Sequence, residues 1–591
     1  MQDLVFLDVE CYKNYFLVCF KRNSKCKFYE LHEDSKINLL EVKKILYDNC
    51  TVGFNSKNYD LPMLACLLAG YDNLSLKSVS DAIITSTKKP WEILNELKIK
   101  LPKFDHIDII DVPHHLDDNT KISRTGLKLY GARMHTKTLQ DLPIDPGSII
   151  TKNQHELLRK YCFNDIDVTI ELYNNISDLI ELRKEIGRVY NLDLRSKSKA
   201  QIAESIIRKE LKIDHFTHKI DINKIYKYKV PEHISFKTSE LIALTKELEN
   251  YEFKCDTNGK LLRPDELIRK NTYINDVKYT IGLGGIHSNE GNVSLITDDS
   301  EFILDFDVTS YYPSMIINNN YTPEQLGSKF LDLYKRFYKD RLEAKALGNN
   351  SISETFKIVL NGCFGKFGSI YSCLFSPELL FSTTITGQLL ILMLIESVSL
   401  NTTCKVVSAN TDGVTIFGKR SELVLLRSIV KFWEESTNYR LEEAEYKSIH
   451  QESVNRYIAV KHDRSVKSKG FGIASLDKNP DLEVCYDAVV NHILGKDSIE
   501  STILDERDIR KFLIVRQVHG GAIWENQMLG KVIRWYYSRN GNKIIINKTY
   551  NKVADSDNAK PCMVLPEILP EDIDYSIYIK KSYEILKNLG L

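Results

Sequence analysis

A chain of 591 residues exceeds what one hydrophobic core accommodates, so several domains are expected. With 43% hydrophobic and 27% charged residues, its composition is neither that of a disordered chain nor that of a collagen. Lysine plus arginine and aspartate plus glutamate balance at 80 each, which excludes a uniformly basic nucleic-acid binder and leaves any such contact to local patches.

Taken in chain order, residues 4–9 read as a strand already, without a basic n-region, a cleavage site or a membrane-length apolar run. Residues 16–20 are its expected partner, Asp60 starts a helix, and 156–182 carry the three- and four-residue apolar spacing of one long helix. Residues 186–280 are lysine-rich and expected to be mostly helical. Strand alternation returns at 301–308, and two helical patterns at 328–347 and 352–366 meet at Gly348-Asn349-Asn350. One such patch lies here, since residues 329–368 hold eight basic side chains against four acidic. Residues 405–417 form a hairpin about Asn410-Thr411-Asp412-Gly413. The twelve cysteines show no C-x-x-C or zinc-ligand spacing, so reduced thiols and a cytoplasmic location are expected.

Asp8 and Glu10 lie two apart on an apolar strand and leave by one face, where two like charges are costly without a cation. Alone, the pair fits a strand end facing water better than a cation site. Asp60 follows Asn55 and Tyr59 in NSKNYD, and Tyr161 and Asp165 sit four apart in YCFND, on one helix face. Four carboxylates and a phenol match the needs of two-metal phosphodiester hydrolysis, in which two divalent ions sit roughly 3.5–4 Å apart. DVE, NSKNYD and YCFND resemble, in order, the three exonuclease motifs of proofreading DNA polymerases. The resemblance implies an RNase H-like fold, Asp8, Glu10, Asp60 and Asp165 as metal ligands, and Tyr161 orienting the attacking water. It also implies that Asn55 and Tyr59 hold the frayed single strand, a task suited to an aromatic platform.

In the second half, ILDFDVTSYYPSMI puts Asp305 and Asp307 on one strand face. DVTSYYPS closely resembles the D-x-x-S-L-Y-P-S motif of family B polymerases. By that resemblance Asp307 is a metal ligand assisted by the Val308 carbonyl, and Ser310 and Tyr311 meet the triphosphate through backbone N–H groups. Tyr312 lies beneath the deoxyribose as a gate against a 2′-hydroxyl, while Asp305, outside the motif, is structural. KIVLNGCFGKFG resembles K-x-x-x-N-S-x-Y-G, with Lys357 and Asn361 one turn apart, Phe364 for the usual tyrosine and Gly362 for serine. A compact ammonium suits charge moving onto pyrophosphate. Arg341 and Lys345 repeat the spacing upstream and resemble the other phosphate-binding pair. SANTDGV resembles the Y-x-D-T-D-S hairpin, with Asp412 as the second metal aspartate and Asn410 in place of the first. VNRY resembles the primer-gripping K-x-Y element with Asn455 for its lysine, leaving Tyr457, with Lys467 and Lys469 nearby, to contact DNA. Gly282-Leu283-Gly284-Gly285 resembles Y-x-G-G without its tyrosine, so Gly284 and Gly285 are carried over as a template contact.

The resemblance, covering about 1–185 and 280–480, implies an α+β multidomain chain: an RNase H-like exonuclease domain (1–185), a helical connector (186–300) and a right-hand polymerase. In the latter the palm is 301–327 and 369–480, the fingers 328–368 and, by elimination, the thumb 481–591. The implied protein is a compact, phage-type, DNA-directed family B polymerase with 3′→5′ proofreading, using two Mg²⁺ per site or Mn²⁺ in their place. Its partners are primed DNA, dNTPs and replisome accessory proteins. A monomer without membrane contact, in the host cytoplasm if phage-encoded, is expected. The short spacing from Ser314 to Lys357 leaves no room for the insertion that protein-primed relatives carry, which points to a nucleic-acid primer. Two rivals remain at this stage, an exonuclease with an impaired polymerase half and a silent DNA-binding relic.

Overall fold

The alternation in VFLDVEC makes β1 (Val5–Cys11), whose odd apolar residues are buried while Asp8 and Glu10 stay partly open. The computed structural model describes residues 4–113, 125–214, 216, 218, 220–264, 271–471 and 475–591. Around β1 forms a mixed sheet of order β3-β2-β1-β4-β5, with β2 (Phe16–Arg22), β3 (Lys25–Leu31), β4 (Thr51–Gly53) and β5 (His106–Asp108). β1 to β3 are antiparallel, whereas β4 and β5 run parallel to β1. The helices Asp60–Leu68 and His155–Asn175 bring their residues to the Asp8–Glu10 side.

The single helix expected over 156–182 is two helices, His155–Asn175 and Ser177–Tyr190, broken at Ile176. Here Ile176 turns to ψ 13, Asn175 donates to the Glu171 carbonyl and Ser177 to that of Asn174. Such side chains compete with the backbone ladder and end helices. Residues 186–280 are also less helical than expected. After the helices Lys199–Leu211 and Ser239–Asn250 come β6 (Asn271–Ile274) and β7 (Val277–Thr280), with irregular chain between. Tertiary packing overrides propensity in this stretch. Tyr228, Ile234 and Phe253 are buried against Phe381 and Ile385, while Ile202, Ala203 and Ile206 pack with Phe330, Val359 and Phe364. Residues 199–253 thus divide between two cores.

The second sheet is ten-stranded among the described residues and adds β8 (His287–Ser288), β9 (Val293–Ile296), β10 (Glu301–Val308), β11 (Lys405–Asn410), β12 (Gly413–Lys419), β13 (Leu441–Ser453), β14 (Arg456–Lys461) and β15 (Val466–Lys469). Its order is β15-β14-β13-β10-β12-β11-β8-β7-β6, with β9 on β13, so β10 lies centrally between β12 and β13. Behind it runs the helix Pro377–Asn401, apolar and long enough to cross a membrane, yet its most apolar window is 89% buried within the fold. A core role explains that apolarity. Ser328–Ala346 and Asn350–Lys366 form a helical pair stacked on Lys199–Leu211.

The last hundred residues build a separate core beneath a sheet ordered β18-β16-β17-β19, from β16 (Ile514–Trp524), β17 (Gln527–Asn542), β18 (Ile545–Ile546) and β19 (Ala559–Pro561). This unit is sewn to the N-terminal domain by Arg534, which is fully buried. Its guanidinium donates to the carbonyls of Thr136, Lys137, Cys562 and Met563. A buried guanidinium must satisfy its donors, and four carbonyls at the seam do so.

Candidate active sites: two carboxylate clusters

Asp8 and Glu10 project from β1 toward the helix His155–Asn175, which returns Tyr161, Cys162 and Asp165. Asp60 begins its own helix and is 4% exposed. Burial first, then the charges of Asp60, Glu10 and Asp165, raise the Asp8 carboxyl well above its ordinary range. Burial and Asp165 push Glu10 up to about 8 against the pull of Lys128. Burial raises Asp60 to about 7, with Asp108 adding to it. Asp165 is raised by burial although Lys128 lies 2.7 Å away. Four carboxylates that each resist ionisation form a site whose negative charge Lys128 compensates only in part. The Asp60 Oδ1 has no hydrogen-bond partner. An orphaned buried oxygen among repelling carboxylates is what a divalent cation fits.

Neighbours complete the geometry. The Tyr161 ring is buried, and burial with the Asp165 charge drives its phenol far up, so it stays protonated. The Lys128 ammonium sits 4.1 Å from that ring's centroid while donating to both Asp165 oxygens. Asn55 adopts φ 57 and its N–H donates to Asp108 Oδ1, as the Lys57 N–H does to Oδ2. Asp108 therefore shapes the turn that delivers Asp60. The Tyr59 hydroxyl meets Ser80 at 2.8 Å, leaving its ring half-buried. Three residues in this cluster escape sequence reasoning. Lys128 and Asp108 stand far from any motif, whereas Cys162 lies inside YCFND and was readable there.

The second cluster is built on β10 and the β11–β12 hairpin. Asp307 pairs in register with Gly413, and a Cβ on Gly413 would collide with the Asp307 carboxylate. The adjacent Asp412 is tied in by its carbonyl, which accepts from the Val308 N–H at 2.8 Å. Asp412 is exposed at the hairpin tip, and partial desolvation with the Asp307 charge raises it to about 6. Burial and Asp305 raise Asp307, opposed by Lys467. Asp305 accepts from Thr415, Tyr446 and Lys467 at 2.7–2.9 Å and is thus held in a structural network. The Lys467 ammonium, expected beside DNA, lies 2.9 Å from Asp305 and 3.5 Å from Asp307. Lys469, exposed, bears on Asp412, and Tyr457 pairs with it across β14–β15.

Around this cluster, Ser310 adopts φ 51 just before the helix Tyr311–Asn318. Its hydroxyl accepts from Arg341, whose Nε has no partner. The Tyr311 hydroxyl donates to Gly387, which fixes it in the core. The Tyr312 ring stacks on Phe364 at 4.3 Å and 14°. Lys345 is exposed, Lys357 pairs with Glu354 at 3.2 Å, and Asn361 is half-buried one turn on. A Cβ at Gly362 would come within 2.6 Å of the Ala203 Cβ, so helix contact explains the absence of serine. Gly285 presses on Thr411 closely enough that no side chain fits. The Gly282–Gly284 loop is gripped by Gln388, which accepts from Gly282 N–H and donates to the carbonyls of Gly282 and Gly284.

No protein-family model matches the chain. Among solved structures it is similar to the family B DNA polymerase from the hyperthermophilic archaeon Pyrobaculum calidifontis, at 12% identity and a TM-score of 0.40, covering 100% of this chain and 78% of that one. Likeness at that level is too slight to carry chemistry across. Among curated proteins, a 58-residue stretch is 47% identical to the uncharacterized mitochondrial protein ymf34 of Marchantia polymorpha, covering 10% of this chain and 73% of that protein. Over that stretch the chain belongs to one family with ymf34, a membership that names no activity.

Proposed function

We propose that the chain is a DNA-directed DNA polymerase of the family B type with a 3′→5′ proofreading exonuclease. The observation that carries this reading is the pair of separate carboxylate clusters, Asp8–Glu10–Asp60–Asp165 and Asp307–Asp412, in which desolvation, joined at most members by a neighbouring carboxylate, raises the acids. The mixed sheet of order 3-2-1-4-5 under the first supports an RNase H-like domain, and the β10–β12 sheet with flanking helices supports palm and fingers. By elimination, residues 481–591 serve as thumb.

Divalent ions, Mg²⁺ in the simplest case, would supply charge stabilisation for an attacking and a departing oxygen at each cluster. Around them the chain's own side chains orient and select. Tyr312, stacked on Phe364, forms a flat floor where a 2′-hydroxyl collides and a deoxyribose fits. Arg341 and Lys345, with Lys357 and Asn361 on the next helix, neutralise and position a triphosphate. In the N-terminal site the protonated Tyr161 donates toward water, and Asn55 and Tyr59 border the path of a frayed strand. Gly284 and Gly285 let backbone approach the template phosphate, and Tyr457 with Lys467 and Lys469 faces the primer. The packing reason for Gly362 removes one support for an impaired polymerase half. The reading extends to a monomer replicating a phage or mobile-element genome from a nucleic-acid primer.

The test is one assay. Protein, primed template, Mg²⁺ and dNTPs should lengthen the primer, and omission of dNTPs should shorten it. A primer unchanged in both conditions would contradict the proposal.

A further inference from the structure

Cys162 touches the first cluster, and the function above leaves it unused. It follows Tyr161 on the helix His155–Asn175, is 0% exposed, and its sulfur lies 3.3 Å from Asp8 Oδ2. One ligand atom each from Asp8, Glu10 and Cys162 fall within 4.8 Å of one another. A single ion spans such a set, because zinc–oxygen bonds run about 2.0–2.2 Å and zinc–sulfur about 2.3 Å. A second observation also points to a cation. Asp60, 4% exposed, has an oxygen without a partner, and its charge bears on Asp8 more than that of any other neighbour. Behind the thiol, Cys19 stands opposite Asp8 in the β1–β2 register.

We infer that Asp8, Glu10 and Cys162 form a mixed oxygen–sulfur site for a thiophilic divalent cation of the zinc and cadmium class. The inference rests on reading this cluster as a cation site and specifies which ions it prefers. Binding transfers the thiol proton to solvent as the metal–sulfur bond forms, with no change of oxidation state. A thiolate adds little for hard Mg²⁺ and much for softer ions, which therefore compete with magnesium here. Among the described residues, no comparable group of three such ligands gathers at Asp307 and Asp412. Thiophilic ions therefore separate the two clusters, occupying the first and sparing the second.

The experiment titrates the full-length chain with Cd²⁺ in Mg²⁺ buffer without nucleic acid, following ultraviolet thiolate-to-cadmium absorption. The parent should show a saturable band. Cys162→Ser should abolish it or weaken binding by about tenfold or more, the scale on which altered metal surroundings act. Asp8→Asn, which keeps the side chain's shape, should weaken it similarly, and Cys26→Ser should leave it unchanged. No band in the parent, an undiminished band in Cys162→Ser or Asp8→Asn, or its loss in Cys26→Ser would overturn the inference. The last outcome would place cadmium on Cys19 and Cys26, whose sulfurs lie 3.1 Å apart. Because no DNA is present, a band without primer shortening counts against the exonuclease alone, and shortening without a band counts against the thiol site alone.

Discussion

Asn410 donates from its Nδ2 to the Asn455 Oδ1 at 3.3 Å, joining the β11–β12 hairpin to the turn before β14. Both residues depart from the motifs they resemble, one replacing an aspartate and the other a lysine, and the fold sets them side by side. An amide pair in place of opposite charges keeps the contact and leaves the cluster's charge balance unchanged. Asp412 already rises to about 6 beside Asp307, so a further carboxylate at 410 should raise it again. Asn410→Asp alone should slow primer extension. Asn410→Asp with Asn455→Lys should recover about 1.4- to fivefold of the loss, since exposed pairs couple by roughly 0.2–1 kcal/mol. A double-mutant cycle in extension rate measures the coupling, and strict additivity would refute it.

Asp412→Ala should abolish extension while primer shortening continues, and Asp8→Ala should do the reverse. Each loss should be on the order of 10²-fold or more, the scale of removing one preorganised electrostatic contact. Both activities lost in either variant would contradict two independent sites.

Lys128 is the cation beside Asp165 and Tyr161, with side chains 25% and 11% exposed for the Lys128–Asp165 pair. Removing one partner of such a pair strands the other charge, at a cost of up to about 3 kcal/mol. Lys128→Ala should lower primer shortening by about tenfold or more and spare extension, with Lys128→Arg intermediate. Equal losses in both activities would refute a local role.

Glu10 moves from 4.5 to about 8 and Asp60 from 3.8 to about 7 on folding. A carboxyl whose folded value is raised binds its proton more tightly when folded, so its contribution is full below the unfolded value and is lost as pH rises through the folded one. Metal-free protein should therefore lose melting temperature between about pH 4 and 8 on account of these groups. Added Mg²⁺ or Mn²⁺ should restore it most at the alkaline end, because binding requires deprotonated ligands. Differential scanning fluorimetry across pH, with and without metal, reads this directly. A metal-induced rise largest at pH 5 would contradict it.

Gly362→Ser would bring back the residue of the resembled motif but place a Cβ 2.6 Å from that of Ala203. Overpacking of this kind costs about 1–3 kcal/mol. The single variant should melt lower, and adding Ala203→Gly should relieve part of the loss. An unchanged melting temperature would show that the two helices separate without cost.

The chain's local chemistry was legible before any tertiary structure. Period-two alternation put Asp8 with Glu10 on one strand face, four-residue spacing put Tyr161 with Asp165 on one helix face, and Asp-Gly set the hairpin at Asp412. These follow from bond geometry and repeat within a few residues. The structure decided what depends on distant segments meeting. Lys128 approaches Asp165 across 37 positions, Asp108 shapes the turn at Asn55 across 53, and Lys467 reaches Asp305 across 162. Gly362 stands where the resembled motif has serine because Ala203 packs against it, and the break at Ile176 arises from side chains competing for helix carbonyls. Burial and charge compensation are properties of the packed interior, which no local pattern encodes.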